Sequence, residues 1–199
     1  MVCLAISRKY NGYCVAGKQI TGHGKSAWIR PVSARMMGEL SLDLITCGGK
    51  DGPCLLDVVK LPLKKSLPHY YQTENHLINR LGSWEKTGRL EPENLAGLQD
   101  PVDLLWENGY QGGLGTNDRI PIEIAKERCE SSLVLIRPRD FSLVLTRKSS
   151  FKQKIRAKFT FNGIVYNLAV TDIFTEKNSR TNRRGLIRQQ AGIRIFASA

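Results

Sequence analysis

The sequence predicts a mainly β protein with minor α structure: two small β-barrels joined by a region of short helices and loops. Three observations carry this. About five short strand-like runs fall within the first 65 residues, the number and spacing of a small barrel. A similar number of runs returns after residue 131. Between them, residues 67–130 lose the alternating pattern and gain prolines and glycines. The expected units are therefore a first barrel over 1–66, a connector over 67–130 and a second barrel over 131–199.

In chain order, residues 2–8 and 13–20 read as strands around Asn11-Gly12, a hairpin-turn dipeptide. Residues 25–32 form a third strand, ending near Pro31 because proline cannot donate to a ladder. Residues 40–47 make a short fourth, and GGKDGP at 48–53 is turn material. Residues 54–63 (CLLDVVKLPL) read as one long strand. In the connector, 72–81 and 94–106 have short helical patterns. The glycines at 112, 113 and 115 lack the GK[ST] ending of a phosphate loop and read as a flexible turn. Strands return at 132–138, 141–147 and 193–196.

The hairpin of 152–172 is the sharpest local signal. Asn162-Gly163 suits a two-residue turn with φ > 0 at both positions. Folding there pairs Phe161 with Ile164, Phe159 with Tyr166, Ala157 with Leu168 and Ile155 with Val170, an apolar face. The opposite face pairs Thr160 with Val165, Lys158 with Asn167, Arg156 with Ala169 and Lys154 with Thr171. Lys152, Lys154, Arg156 and Lys158 thus project from one side of one strand, with no carboxylate opposite them. Like charges in such a row repel, so stability does not account for them, whereas an anionic partner does.

Charge is also unevenly spread. The 199-residue chain has a formal charge of +12. Residues 144–199 hold 12 Lys/Arg and 2 Asp/Glu, a net of +10, against +2 for the remainder. Such clustering is the footprint of a nucleic-acid or anionic-ligand surface, and a merely solubilising surface would not require it. Arg180, Arg183, Arg184 and Arg188 form a second basic group in a polar segment that suits phosphate or base-edge contacts. A weaker patch lies on the first barrel: Arg8, Lys9, Tyr10, Lys18, Trp28 and Arg30. Strand alternation puts Trp28 and Arg30 on one face, which is either open or holds a partner for Arg30.

Five cysteines, an odd number with no CxxC and no histidine at finger spacing, argue against a zinc site and a disulfide framework, and the several in apolar runs are expected to be buried thiols in a reducing cytoplasm. Ser7-Arg8-Lys9 interrupts the N-terminal apolar run, so no signal peptide is expected, and no run approaches a membrane span. No motif calls for a cofactor. Glu74, His76 and Asp118 could run metal or acid–base chemistry if they converged, but their spacing does not demand it.

The segments CLAISRKYNGYCVAGKQI, AWIRPVS, GELS, CLLDVVKLPL, QTENHLI and NDRI resemble a family of small prokaryotic proteins containing a dual OB-fold domain. The resemblance runs by motif from Met1 to about Ile120 and by general pattern beyond. It implies two OB-type barrels and a nucleic-acid-related role in bacterial defence or mobile-element neighbourhoods. It carries no catalytic residue set. The combined expectation is a non-catalytic binder of single-stranded DNA or RNA. The alternatives are an enzyme on nucleic acid or nucleotides working through 69–119, and an adaptor whose basic face meets an acidic protein. Reversing Lys154, Arg156 and Lys158 to glutamate is expected to abolish nucleic-acid binding and leave the fold intact.

Overall fold

The computed structural model describes residues 1–20, 26–48, 51–147, 153–171 and 193–196. The chain is mainly β and divides into two compact units, Met1–Leu98 and Gln99–Ala199.

In the first unit, the run from Val2 to Ile6 is buried on both faces and becomes the middle of a sheet. Strands β1 (Val2–Lys9), β2 (Gly12–Lys18), β3 (Trp28–Val32), β4 (Asp57–Lys60), β5 (Leu63–Ser66), β6 (Asn75–Ile78) and β7 (Glu85–Arg89) form seven strands in the order β5-β6-β3-β2-β1-β4-β7. All neighbours are antiparallel except β3 and β6. Register shifts at Cys3/Ala5, Val58/Val59 and Leu63/Lys65 curl the sheet, since bulges bend a strand and raise its twist.

Several expected elements differ. The β1–β2 turn is Tyr10-Asn11, not Asn11-Gly12, because Lys9 pairs with Gly12 inside the ladder. Gly12 serves a close approach: a Cβ there would lie 2.5 Å from the Leu40 carbonyl oxygen, on the chain that bonds to Tyr13. The strand expected over 40–47 is two single-residue bridges, Leu40 to Tyr13 and Cys47 to Trp84, around a helical turn α1 (Leu42–Ile45). The strand expected over 54–63 is the shorter β4, followed by β5. The helical pattern expected over 72–81 is β6. Four residues of mixed polarity do not separate helix from strand, and pairing with β3 decides the matter. Pro92–Leu98 is a short 3-10 helix.

The second unit holds α2 (Ile122–Arg128), β8 (Leu133–Ile136), β9 (Arg139–Arg147), β10 (Gln153–Phe161), β11 (Ile164–Ala169) and β12 (Ile193–Phe196). β9, β10 and β11 form an antiparallel meander, and β8 pairs with β12. The β10–β11 register matches the sequence expectation from Arg156–Ala169 to Phe161–Ile164, and Asn162 and Gly163 have φ of 46° and 81°. The apolar face forms the core: Phe159 stacks on Tyr166 at 5.5 Å, and Trp106 meets Tyr166 edge-on at 5.9 Å.

The expected connector is thus shared out. β6 and β7 belong to the first sheet, so the division falls after Leu98 and not at 66. Residues 99–130 belong to the second unit, where Asp100 takes a hydrogen bond from the Leu135 N–H and gives its own N–H to the Leu135 carbonyl.

Candidate nucleic-acid interface

On β10, Lys158 is exposed, with Ser142 of β9 and Asn167 of β11 beside it. Lys154 lies in β10 opposite Thr146. Lys152, Arg180, Arg183, Arg184 and Arg188 lie outside the described residues.

Arg156 departs from the expected row. Its guanidinium is buried, with Nη2 2.5 Å from Asp118 Oδ2 and Nε donating to Asn167 Oδ1 at 3.2 Å. It also donates to the Asn167 carbonyl. The expectation that no carboxylate meets the row therefore fails at Arg156. The carboxylate comes from no neighbouring strand but from a loop 38 residues earlier in the chain. That loop closes the free edge of β11, as unpaired strand edges require. Thr116 and Asn167 exchange backbone hydrogen bonds, Asn117 Nδ2 donates to the Val165 carbonyl, and Asn167 Nδ2 donates to that of Leu114.

The glycine run is a cradle for this carboxylate and not a loose turn. The Gly112 N–H donates to Asp118 Oδ1 at 2.7 Å. A Cβ on Gly115 would lie 1.8 Å from Asp118 Oδ2, so only glycine leaves the space. By residue type, Asn117 and Asp118 suit helix caps or turns equally well, so nothing local marks the ion pair. The nearest available signal was the glycine run just before them.

The first-unit patch also splits. Arg30 is buried against Glu74, Nη2 to Oε1 at 2.7 Å, which resolves its two readings in favour of a partner. Lys18 is buried, donates from Nζ to the Leu98 carbonyl at 2.7 Å and stands 5.3 Å over the half-buried Trp28 ring. These side chains tie the unit together. Arg8 remains exposed, with its guanidinium 5.9 Å over the Tyr13 ring, and Tyr10 is 72% exposed. Lys9 ends β1.

A polar centre that sequence reading missed lies at Asp57. Its buried carboxylate meets Lys86 Nζ at 2.8 Å and Arg89 Nη1 at 3.1 Å, and accepts the Cys54 N–H. Burial pushes the carboxyls of Asp57 and Asp118 up. Hydrogen bonds and cations outweigh it, from Lys86, Cys54 and Arg89 on one and from Gly112, Arg156 and Arg119 on the other. Both groups sit below the ordinary aspartate value. A carboxyl depressed in the folded state adds stability above its unfolded pKa of about 3.9 and loses it as pH falls through the folded value. Thermal melts should therefore show this contribution constant from neutral pH to about 5, then falling below about 4. Asp57→Asn and Asp118→Asn should each flatten that acid limb; an unchanged limb in both would refute the assignment.

The residues proposed for catalysis are otherwise engaged. Glu74 belongs to the first unit and pairs with Arg30, while Asp118 belongs to the second and pairs with Arg156. His76 Nδ1 lies 2.9 Å from the Glu74 carbonyl. Among the described residues, no three or more His, Cys, Asp or Glu side chains are grouped to hold a metal ion, and no helix is long and apolar enough to cross a membrane.

No curated protein and no solved structure gives a significant match to this chain. The family model of the dual OB-containing domain matches residues 1–195. With nearly the whole length matched and a mainly β chain of two compact units beneath it, the protein belongs to the dual OB-containing domain family.

Proposed function

We propose that this protein is a non-catalytic nucleic-acid-binding module with a preference for single strands. The observation that carries the reading is the net charge of +10 on residues 144–199 in a chain of an OB-containing family. OB-type sheets and their loops hold single strands by pairing a cationic groove with aromatic faces. Lys158 on β10 and the Arg8–Tyr13 pair on the first hairpin supply both kinds of group on the surface. The segment bearing Arg180 to Arg188 adds cations without nearby carboxylates in sequence beyond Asp172 and Glu176.

The test is fluorescence polarisation with labelled single-stranded DNA, single-stranded RNA and duplex DNA over a salt series. Each phosphate neutralised on a single strand contributes about −0.7 to the slope of log K against log salt. A slope of about −3 or steeper with tighter binding to single strands is the expected result. Absence of binding at low salt would reject the reading in favour of an adaptor for acidic protein.

A further inference from the structure

The β1–β2 tip holds a residue that folding does not explain. β1 is buried from Val2 to Ser7, and the hairpin emerges at Arg8, Tyr10 and Asn11, all exposed. Tyr10 occupies the left-handed region, at φ 50°. Bulky side chains are disfavoured there, and glycine or asparagine is the ordinary choice. The residue is 72% exposed, so core burial contributes little to offset the backbone strain. The neighbouring Gly12 cannot take over the turn, because its lack of a Cβ admits the Leu40 carbonyl. On the next rung, Arg8 and Tyr13 are cross-strand partners, and the Arg8 guanidinium lies over the Tyr13 ring.

We propose that this tip is a base-stacking site, in which the Tyr10 ring takes a nucleobase face and Arg8, steadied on Tyr13, meets the adjoining phosphate. The proposal rests on the nucleic-acid reading above and adds to it a specific ligand group, the planar base. It places recognition of the base on the first unit. A ring held out by a strained two-residue turn is pre-positioned, so little side-chain freedom is lost when a base stacks on it.

The probes are a labelled oligothymidylate of about 15 nucleotides, within the site size of one OB fold, and an abasic phosphodiester of equal length. Tyr10→Asn keeps a residue suited to positive φ, and its melting temperature should equal or exceed that of the wild type. It should weaken oligothymidylate binding about ten-fold, the loss of one base–aromatic stack, and leave abasic binding and the salt slope unchanged. Tyr10→Phe should bind as the wild type does, since stacking does not use the hydroxyl. If wild type binds oligothymidylate and Tyr10→Asn binds it equally well, the stacking site is refuted and the nucleic-acid reading stands. If wild type binds neither probe, both fall.

Discussion

Asp118→Ala is expected to destabilise the protein by about 3–5 kcal/mol, the usual result of leaving one member of a buried ion pair alone. Arg156 and Asp118 side chains are only 8% and 10% exposed, so solvent screens them little. The mutation also removes the acceptor of the Gly112 N–H and the loop's tie to Arg156 of β10. Arg156→Glu should be at least as damaging, because it sets two carboxylates against each other. Lys158→Glu, at an exposed position of the same strand face, should stay within about 0.5 kcal/mol of wild type. Urea denaturation of the three variants is the check. An Asp118→Ala variant within about 1 kcal/mol of wild type would mean that the pair is not a structural tie. The consequence for function is direct. Reversing Lys154, Arg156 and Lys158 together would unfold the unit, contrary to the sequence expectation, so loss of binding in that variant would carry no information. The informative variant reverses Lys154 and Lys158 and leaves Arg156 in place.

Phe159→Ala should cost about 3–5 kcal/mol, the range for removing a core phenylalanine. Phe159 is 1% exposed and stacks on Tyr166, which Trp106 meets on its edge. Phe159 stands in the central strand of the meander, between β9 and β11. Phe161, half-buried next to the turn, should cost less when replaced by alanine. Equal midpoints for the two variants in urea would refute the placement of the core at Phe159.

Contact range separates the features that are legible in the sequence from those that are not. The β10–β11 hairpin was legible because turn chemistry and period-two alternation act within about twenty residues, and one register satisfies both. The first hairpin was misplaced by one residue because Gly12 answers to Leu40, not to its own turn. Residues 72–81 looked helical because a four-residue strand has no periodicity of its own, and only β3 beside it makes β6 a strand. Of the expected cationic row, Lys158 is exposed and Arg156 is buried, since the carboxylate on Arg156 arrives from another part of the chain.

Legible in the sequence were a mainly β chain, the hairpin register around Asn162-Gly163, the burial of Phe159 and Tyr166 on one face of that hairpin, and the concentration of positive charge in residues 144–199. All of these depend on local patterning or on composition, which survive without knowledge of the fold. The tertiary structure alone decided which cations are structural and which face outward. Arg30, Lys18 and Arg156 are buried against Glu74, the Leu98 carbonyl and Asp118, while Arg8 and Lys158 are exposed. A charge enters a protein interior only with a partner fixed at bonding distance, and these partners stand 44, 80 and 38 residues away. Folding sets that distance, and no local pattern in the sequence encodes it.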